Sequence, residues 1–359
     1  MKKFSVLVGV IALLASSSLA MADSITPSTF TASGPTGASY NVNKIVTVSA
    51  GTPTTTPVDL FFLSDTTGSM GGTISTVKSS ASAIMTSVSS TFGGNVAFGV
   101  GEYKDRTTAG DAFDFRLNQA ITTNKTLVQT GINAWVAGGG GDTPEQNLYA
   151  LSQVAANPAT GWRTGSAKLV VWFGDAVSHD PSGSAPEPLP RPVTQADTIT
   201  NLTSNNVKVA AVNVGNLDGT GQATAIKTAT GGALFTGVPD PSNIVAIIDG
   251  MIEDIFSKYN TVSLDTSEVP GGVGVTVSPG SYTGEFDRSI ERTFNFEVTF
   301  TDLEPGTHTF NIYATVDGAR IATESDSITS AVPEPATMLL LGSGLIGLAG
   351  YGRKKFFKK

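Results

Sequence analysis

Val58-Asp59-Leu60-Phe61-Phe62-Leu63-Ser64-Asp65-Thr66-Thr67-Gly68-Ser69 carries an apolar run straight into a turn that places one acid and two hydroxyls at alternate positions, Asp65, Thr67 and Ser69. A short, nearly continuous run of large apolar residues that ends in a turn reads as a strand buried on both faces. The residues that follow change period. Ile74, Val77, Ala81, Ile84, Met85 and Val88 recur at helical spacing, so the turn joins a buried strand to a helix.

The same alternation continues to about Tyr259. Strands are expected at Val58–Ser64, Val96–Tyr103, Asp114–Ile121, Lys168–Gly174, Val207–Val214 and Ala233–Thr236, with helical segments between them and a last one carrying Ile244, Ile247, Ile248, Ile252 and Ile255. Buried strands alternating with helices imply an α/β domain with a doubly wound, mostly parallel sheet. Ligands of such sheets sit beyond the carboxyl ends of the strands, where strand order reverses. Asp65 follows one strand and Asp175 follows another.

Asp65, Thr67 and Ser69 suit a hard divalent cation. Mg²⁺ takes oxygen ligands in an octahedron and keeps several waters, so one or two carboxylates plus hydroxyls hold it. Hydroxyl ligands add no charge, which leaves the ion net positive and able to attract an acidic group of a partner. The same turn could instead cap the following helix. Two further segments favour the cation. Gly138-Gly139-Gly140-Gly141-Asp142-Thr143-Pro144-Glu145 is a glycine loop ending on a proline and an acid, a helix-start signature. Lys168 to Phe173 is a second buried strand that delivers Asp175.

This set resembles the von Willebrand factor type A domain and its metal-ion-dependent adhesion site, with Asp65, Thr67 and Ser69 in the first loop, Thr143 in the second and Asp175 in the third. The resemblance implies Mg²⁺, Mn²⁺ or Ca²⁺ at that site. Within the superfamily the chain is similar to the I-like domain of integrin β subunits through Pro57 to Leu63, Phe98 to Asp105, Asp142-Thr143-Pro144-Glu145 and Gly174 to His179. That likeness implies a second cation, Ca²⁺, at Asp105, Asp142 and Glu145. Gly140 stands where that family has an Asn ligand, and Met70-Gly71-Gly72 replaces the acids of a third site. Asp105 and Asp142 are equally good turn residues.

Both termini read as sorting signals. Lys2-Lys3, apolar Val6 to Leu14 and Ala20-Met21-Ala22 have the order of a secretory signal peptide, residues 1–22, cut by signal peptidase before Asp23. Near the other end, Pro333-Glu334-Pro335 leads into an apolar stretch from Met338 to Gly350 and then Arg353-Lys354-Lys355 and Lys358-Lys359. The stretch is shorter than the about 20 residues a bilayer needs, although flanking Lys and Arg can snorkel. Residues 332–359 resemble the PEP-CTERM sorting signal, which implies a transmembrane hold before processing by an exosortase of a Gram-negative bacterium that makes exopolysaccharide.

Composition narrows the function. The chain has no cysteine and two histidines, so it has no disulfides and poor ligands for zinc. Seven of its 22 basic residues lie in residues 1–22 and 336–359 and none of its 30 acids does, which leaves residues 23–335 with 15 basic residues and a net charge of −15. Such a surface repels nucleic acid and attracts cations. His179 near many serines suggests a hydrolytic dyad, but no nucleophile elbow accompanies it, and no enzyme activity is expected.

Residues 23–56 are rich in Ser, Thr, Gly and Pro with one strand-like run, Tyr40 to Val48. From Thr261 the period becomes two: Phe294, Phe296, Val298 and Phe300 share a face, and Asp317-Gly318 marks a hairpin. Residues 260–330 therefore read as a small all-β sandwich, and the early strand suggests that the α/β domain, residues 57–259, is inserted into it. The proline-rich loop Ser178 to Pro192 either lines the site or is a solvated connector. The function expected is an exported adhesion or ligand-binding protein of the cell envelope, cell surface or extracellular matrix, binding an acidic group of a protein or polysaccharide through its metal. The alternative is a structural component of the exopolysaccharide or biofilm matrix that bound cations stabilise.

Overall fold

The computed structural model describes residues 22–54, 56–106, 110–141, 143–183, 192–330 and 342–347. Three strands open the chain: β1 (Ser24–Thr26), β2 (Thr29–Gly34) and β3 (Ser39–Val48). The α/β region follows with β4 (Val58–Asp65), α1 (Gly71–Thr91), β5 (Val96–Tyr103), β6 (Phe115–Thr122), α2 (Lys125–Asn133), α3 (Asn147–Ala156) and β7 (Ala167–Gly174). It continues through α4 (Gln195–Ser204), β8 (Val207–Asn213), α5 (Gln222–Thr230), β9 (Ala233–Thr236) and α6 (Ile244–Phe256). Six strands then complete the described fold: β10 (Lys258–Asp265), β11 (Val273–Ser278), β12 (Ser281–Asp287), β13 (Arg292–Asp302), β14 (Gly306–Val316) and β15 (Ala319–Ser330).

The α/β sheet has the order β6-β5-β4-β7-β8-β9. All its pairs are parallel except β5 with β6. Helices cover both faces, as a doubly wound sheet requires. One layer joins Ile74, Val77, Ile84 and Val88 of α1, Val128 and Ile132 of α2 and the isoleucines of α6 to the sheet. The other uses Leu148 and Leu151 of α3, Leu202 of α4 and Ile226 of α5. Every residue of β4 is buried, Asp59 and Asp65 included. Each buried Leu or Phe in these layers contributes about 1.5–3 kcal/mol, enough to fix the strand that carries Asp65.

The remaining strands form two facing sheets, β1-β3-β13-β11 and β12-β10-β14-β15-β2. Along β13, Phe294, Phe296, Val298 and Phe300 are buried, while Thr293, Asn295 and Glu297 are exposed. Period-two alternation of this kind fixes register, since a one-residue slip would turn the phenylalanines outward. β3 pairs antiparallel with β13 from Arg292↔Val48 to Thr301↔Ser39, and β2 pairs parallel with β15. The α/β region thus lies in the chain between strands of one sandwich. Two strands in the early segment, β1 and β2, escape the sequence pattern. β2 is Thr-Phe-Thr-Ala-Ser-Gly with no fully buried residue, so its period is weak.

The β14–β15 turn is Asp317-Gly318 with φ of 47° and 80°, the pair of positive values of a type I′ hairpin. This turn meets the α/β region. Lys208 Nζ of β8 lies 2.9 Å from Asp317 Oδ2, and Asp317 Oδ1 accepts from the backbone N–H groups of Asn260 and Thr261. Arg320 N–H also donates to the carbonyl of Gly165 at 2.8 Å.

Candidate metal centre

β4, β5 and β7 run parallel, so their carboxyl ends reach the same edge of the sheet. Asp65 is in register with Tyr103, and Ser64 with Phe173. Asp175 therefore begins its loop beside Asp65, on the neighbouring strand. Asp65 is fully buried and Asp175 partly exposed.

The first loop closes on its own acid. Thr67 donates both its N–H, at 2.8 Å, and its hydroxyl, at 2.7 Å, to Asp65 Oδ1. Asp65 Oδ2 is buried and accepts no hydrogen bond. An uncompensated buried carboxylate oxygen is costly, and burial pushes this carboxyl up from its ordinary 3.8 to about 7. The neighbouring Asp175 charge pushes the same way, while the Thr67 hydrogen bonds and the Lys104 ammonium oppose it. An unpartnered carboxylate oxygen at a strand end, with a second acid on the neighbouring strand and the hydroxyl of Thr67 on the same carboxyl, is the donor chemistry of a hard divalent cation. These residues fit such an ion.

The second loop is stitched to the first through the backbone. Gly68 N–H donates to Gly139 O and Gly138 N–H donates to Thr66 O. The Lys104 ammonium, itself buried, donates to the carbonyls of Thr66, Val136 and Gly138. Thr66 hydroxyl is spent on Glu102 Oε2 at 2.9 Å, which explains why Thr67 rather than Thr66 serves Asp65. Gly140 has φ +72°, and a Cβ there would lie 2.7 Å from Thr67 Cβ and 3.1 Å from Glu145 Oε1. An Asn at Gly140 would thus meet the threonine itself. Asp111 braces the far side by accepting from Gly140 N–H at 3.0 Å.

The third loop joins the second through Glu145. Its N–H donates to Val177 O, its carbonyl accepts from His179 N–H, and Ser178 hydroxyl donates to the same carbonyl. Because the Glu145 backbone makes this bridge, α3 starts at Asn147 and not at Pro144-Glu145, where the sequence signature places a helix start. Below the loops, Tyr103 hydroxyl accepts from Trp172 Nε1 at 3.0 Å. Burial pushes its pKa well above the ordinary 10, helped by the Asp65, Glu145 and Asp175 charges.

Ser69 and Thr143 are exposed at the rim. Asp105 is buried with both oxygens engaged, Oδ1 by Gln146 Nε2 at 2.8 Å and Oδ2 by His179 Nε2 at 2.8 Å. Asp142 lies outside the described residues, so the acids of the second cation set are not all placed. Among the described residues, no three Asp, Glu, His or Cys side chains group to hold a metal; the main set draws on two acids and three hydroxyls. His179 is thus the partner of Asp105. Lys104, Asp111 and Gln146 carry roles that the sequence reading did not assign. The only signal was their position inside segments already singled out or next to them.

The proline-rich loop is pinned at its ends by reciprocal hydrogen bonds between Ser182 and Val193, and residues 184–191 lie outside the described residues. Pro333, Glu334 and Pro335 do too, as do residues 1–21. No helix of the described residues is long and apolar enough to cross a membrane.

The von Willebrand factor type A domain family matches residues 59–249, and the PEP-CTERM protein-sorting motif matches residues 331–354. Among solved structures, the chain is similar to a von Willebrand factor type A protein from Catenulispora acidiphila. The identity is 13%, covering 89% of this chain and 76% of that one, with a TM-score of 0.44. It is also similar to the open conformation of the pilus adhesin SpaC from Lactobacillus rhamnosus GG, at 13% identity over 81% of this chain and a TM-score of 0.40. The match spans 45% of SpaC. No curated protein matches the chain.

Proposed function

Because the chain belongs to the von Willebrand factor type A domain family, whose match covers more than half of it, we propose that it is an exported adhesion protein that binds an acidic ligand through a divalent cation. Asp65, Thr67, Ser69, Thr143 and Asp175 would hold the ion, Mg²⁺ or in its place Mn²⁺ or Ca²⁺. The observation that carries this reading is Asp65 Oδ2, buried without a hydrogen bond at the strand end next to Asp175.

Bound there, the cation supplies a positive centre to which an acidic oxygen of the ligand coordinates. The protein residues do the rest. Thr67 holds Asp65 Oδ1 in place, and Lys104 fixes the two loops without reaching the surface. Segments 65–72, 137–145 and 175–183 contain no Lys or Arg, so nothing else in these loops draws an acid to a chain of net charge −8. Recognition of an acidic protein or polysaccharide then depends on the metal.

The sorting motif supports export to the cell envelope, with Pro333-Glu334-Pro335 as the recognition element for an exosortase. Surface display in a Gram-negative bacterium, within an exopolysaccharide matrix, completes the reading. Calorimetry tests its centre: Mg²⁺ should bind wild type, and Asp65→Ala should lose that binding while remaining folded. Unchanged Mg²⁺ affinity in the variant would overturn the proposed site.

A further inference from the structure

The sandwich core contains an amine where only hydrocarbon is expected. β3 alternates inward at Val42, Lys44, Val46 and Val48, and Lys44 is fully buried. Facing it from the other sheet are Glu324 and Asp326 of β15, two residues apart and so on one face, both buried. Lys44 Nζ lies 2.5 Å from Glu324 Oε1 and 3.3 Å from Asp326 Oδ2. The rings of Phe30 and Phe300, stacked 5.7 Å apart, close over the amine at 5.8 and 5.3 Å.

As an ion pair this cluster is poorly balanced. One ammonium meets two carboxyls in a buried site, and no other donor reaches Asp326 Oδ1. Buried charges of this kind are costly unless all are paired. Burial and the neighbouring Asp326 push the Glu324 carboxyl up to about 7. Glu324, at the shorter distance, is placed to take a proton from nitrogen. Asp326 Oδ2, at 3.3 Å, brings its carboxyl group against the same nitrogen.

We propose that Lys44 and Asp326 condense to an intramolecular amide, with Glu324 as the proton carrier. Glu324 accepts a proton from the Lys44 ammonium, leaves a neutral amine and passes that proton to the Asp326 carboxylate. The nitrogen lone pair attacks Cγ of the protonated Asp326 carboxyl, and the new C–N bond forms. The second amine proton passes through Glu324 to the departing hydroxyl, the C–O bond breaks, and one water leaves. Nothing is oxidised or reduced, and no other reactant is needed. The product replaces an ammonium and a carboxyl by one uncharged amide between the two sheets, closing a loop across 282 positions.

Peptide mapping by mass spectrometry of the purified full chain decides the matter. Wild type should give one branched peptide joining the Lys44 and Asp326 segments, lighter than its two parts by about 18 Da, one water. Glu324→Gln keeps the shape of the side chain and should give the two linear peptides only. Separate linear peptides from wild type, or a branch at Glu324, would overturn the proposal. A branched peptide retained in Glu324→Gln would overturn the role of Glu324. Because the wild-type map is informative by itself, the test survives a variant that fails to fold.

Discussion

Gly140 and Thr67 touch so closely that a single added carbon on the glycine would fall 2.7 Å from the threonine Cβ. Thr67 holds Asp65 by two hydrogen bonds, so the contact connects the second loop directly to the buried acid.

Gly140→Ala should therefore damage the centre more than the fold. Positive φ costs an alanine about 1 kcal/mol and the overlap about 1–3 kcal/mol more. Urea melts should show a loss of that order, and calorimetry a fall in Mg²⁺ affinity of at least tenfold. Wild-type affinity in a folded Gly140→Ala protein would show that the loops move independently.

Asp65 gives the apoprotein a pH dependence of unusual sign for an acid. Its carboxyl titrates at about 7 in the folded chain against an ordinary 3.8, so between those values the folded state holds the extra proton. Stability from this residue is fullest below about pH 4 and declines as pH rises to 7. Asp65→Asn removes the decline. In EDTA the variant should melt near wild type at pH 4 and several degrees above it at pH 7.5, a difference on the order of a few kcal/mol. Added Mg²⁺ should stabilise wild type alone. Parallel melting curves for the two proteins across this range would refute the burial argument.

Lys104 is the internal clamp. Replacing it with Met leaves the carbonyls of Thr66 and Gly138 without their ammonium donor and removes the cation that holds down the Asp65 carboxyl. A cost of about 2–4 kcal/mol in urea unfolding is expected, with faster hydrogen exchange at residues 66–70 and 137–141. Exchange unchanged in those segments would remove Lys104 from this role.

Deleting residues 23–48 should unfold the sandwich, because β13 loses its ten-position pairing with β3 and exposes an edge of alternating phenylalanines. An isolated 57–259 fragment should still fold and bind Mg²⁺, since its two apolar layers are complete within itself. Circular dichroism and calorimetry of the two truncated proteins check both halves. A cooperative melt in the truncated chain would show that the sandwich does without its early strands.

Changing Pro333-Glu334-Pro335 to alanines should leave a heavier, membrane-held form with its tail intact. The mature C-terminal mass, measured from cells that make the exosortase, is the readout. An identical terminus in wild type and variant would remove the sorting role from these residues.

The α/β fold was legible because its strands are short runs buried on both faces: Val96–Tyr103 and Ala233–Thr236 stand where their apolar runs do. Asp65 and Asp175 were legible for the same reason, as acids that end such runs. Lys104 and Asp111 were not, since their roles are hydrogen bonds to backbone carbonyl and amide groups about 30 positions away in the chain. Local pattern carries no trace of such partners. The start of α3 was misplaced because Glu145 gives its backbone to Val177 and His179, a tertiary demand that overrides the proline signal.

Both connections between the α/β region and the sandwich leave from the end of the sheet opposite Asp65: Val58 opens β4 there, and α6 returns there to meet Lys258. A tug on a captured ligand therefore divides between two tethers, one entering the sandwich at Val48 and the other at Lys258. The β3 tether pulls along its own length against β13, from Val48 toward Ser39. Rungs loaded lengthwise share the force and must fail together, where a strand peeled sideways would lose them one by one. The far end of β15, at Ser330, leads toward the terminal sorting segment, so tension crosses the sandwich from end to end along its strands. The chain's route through its two domains thus gives a surface-held protein resistance to traction.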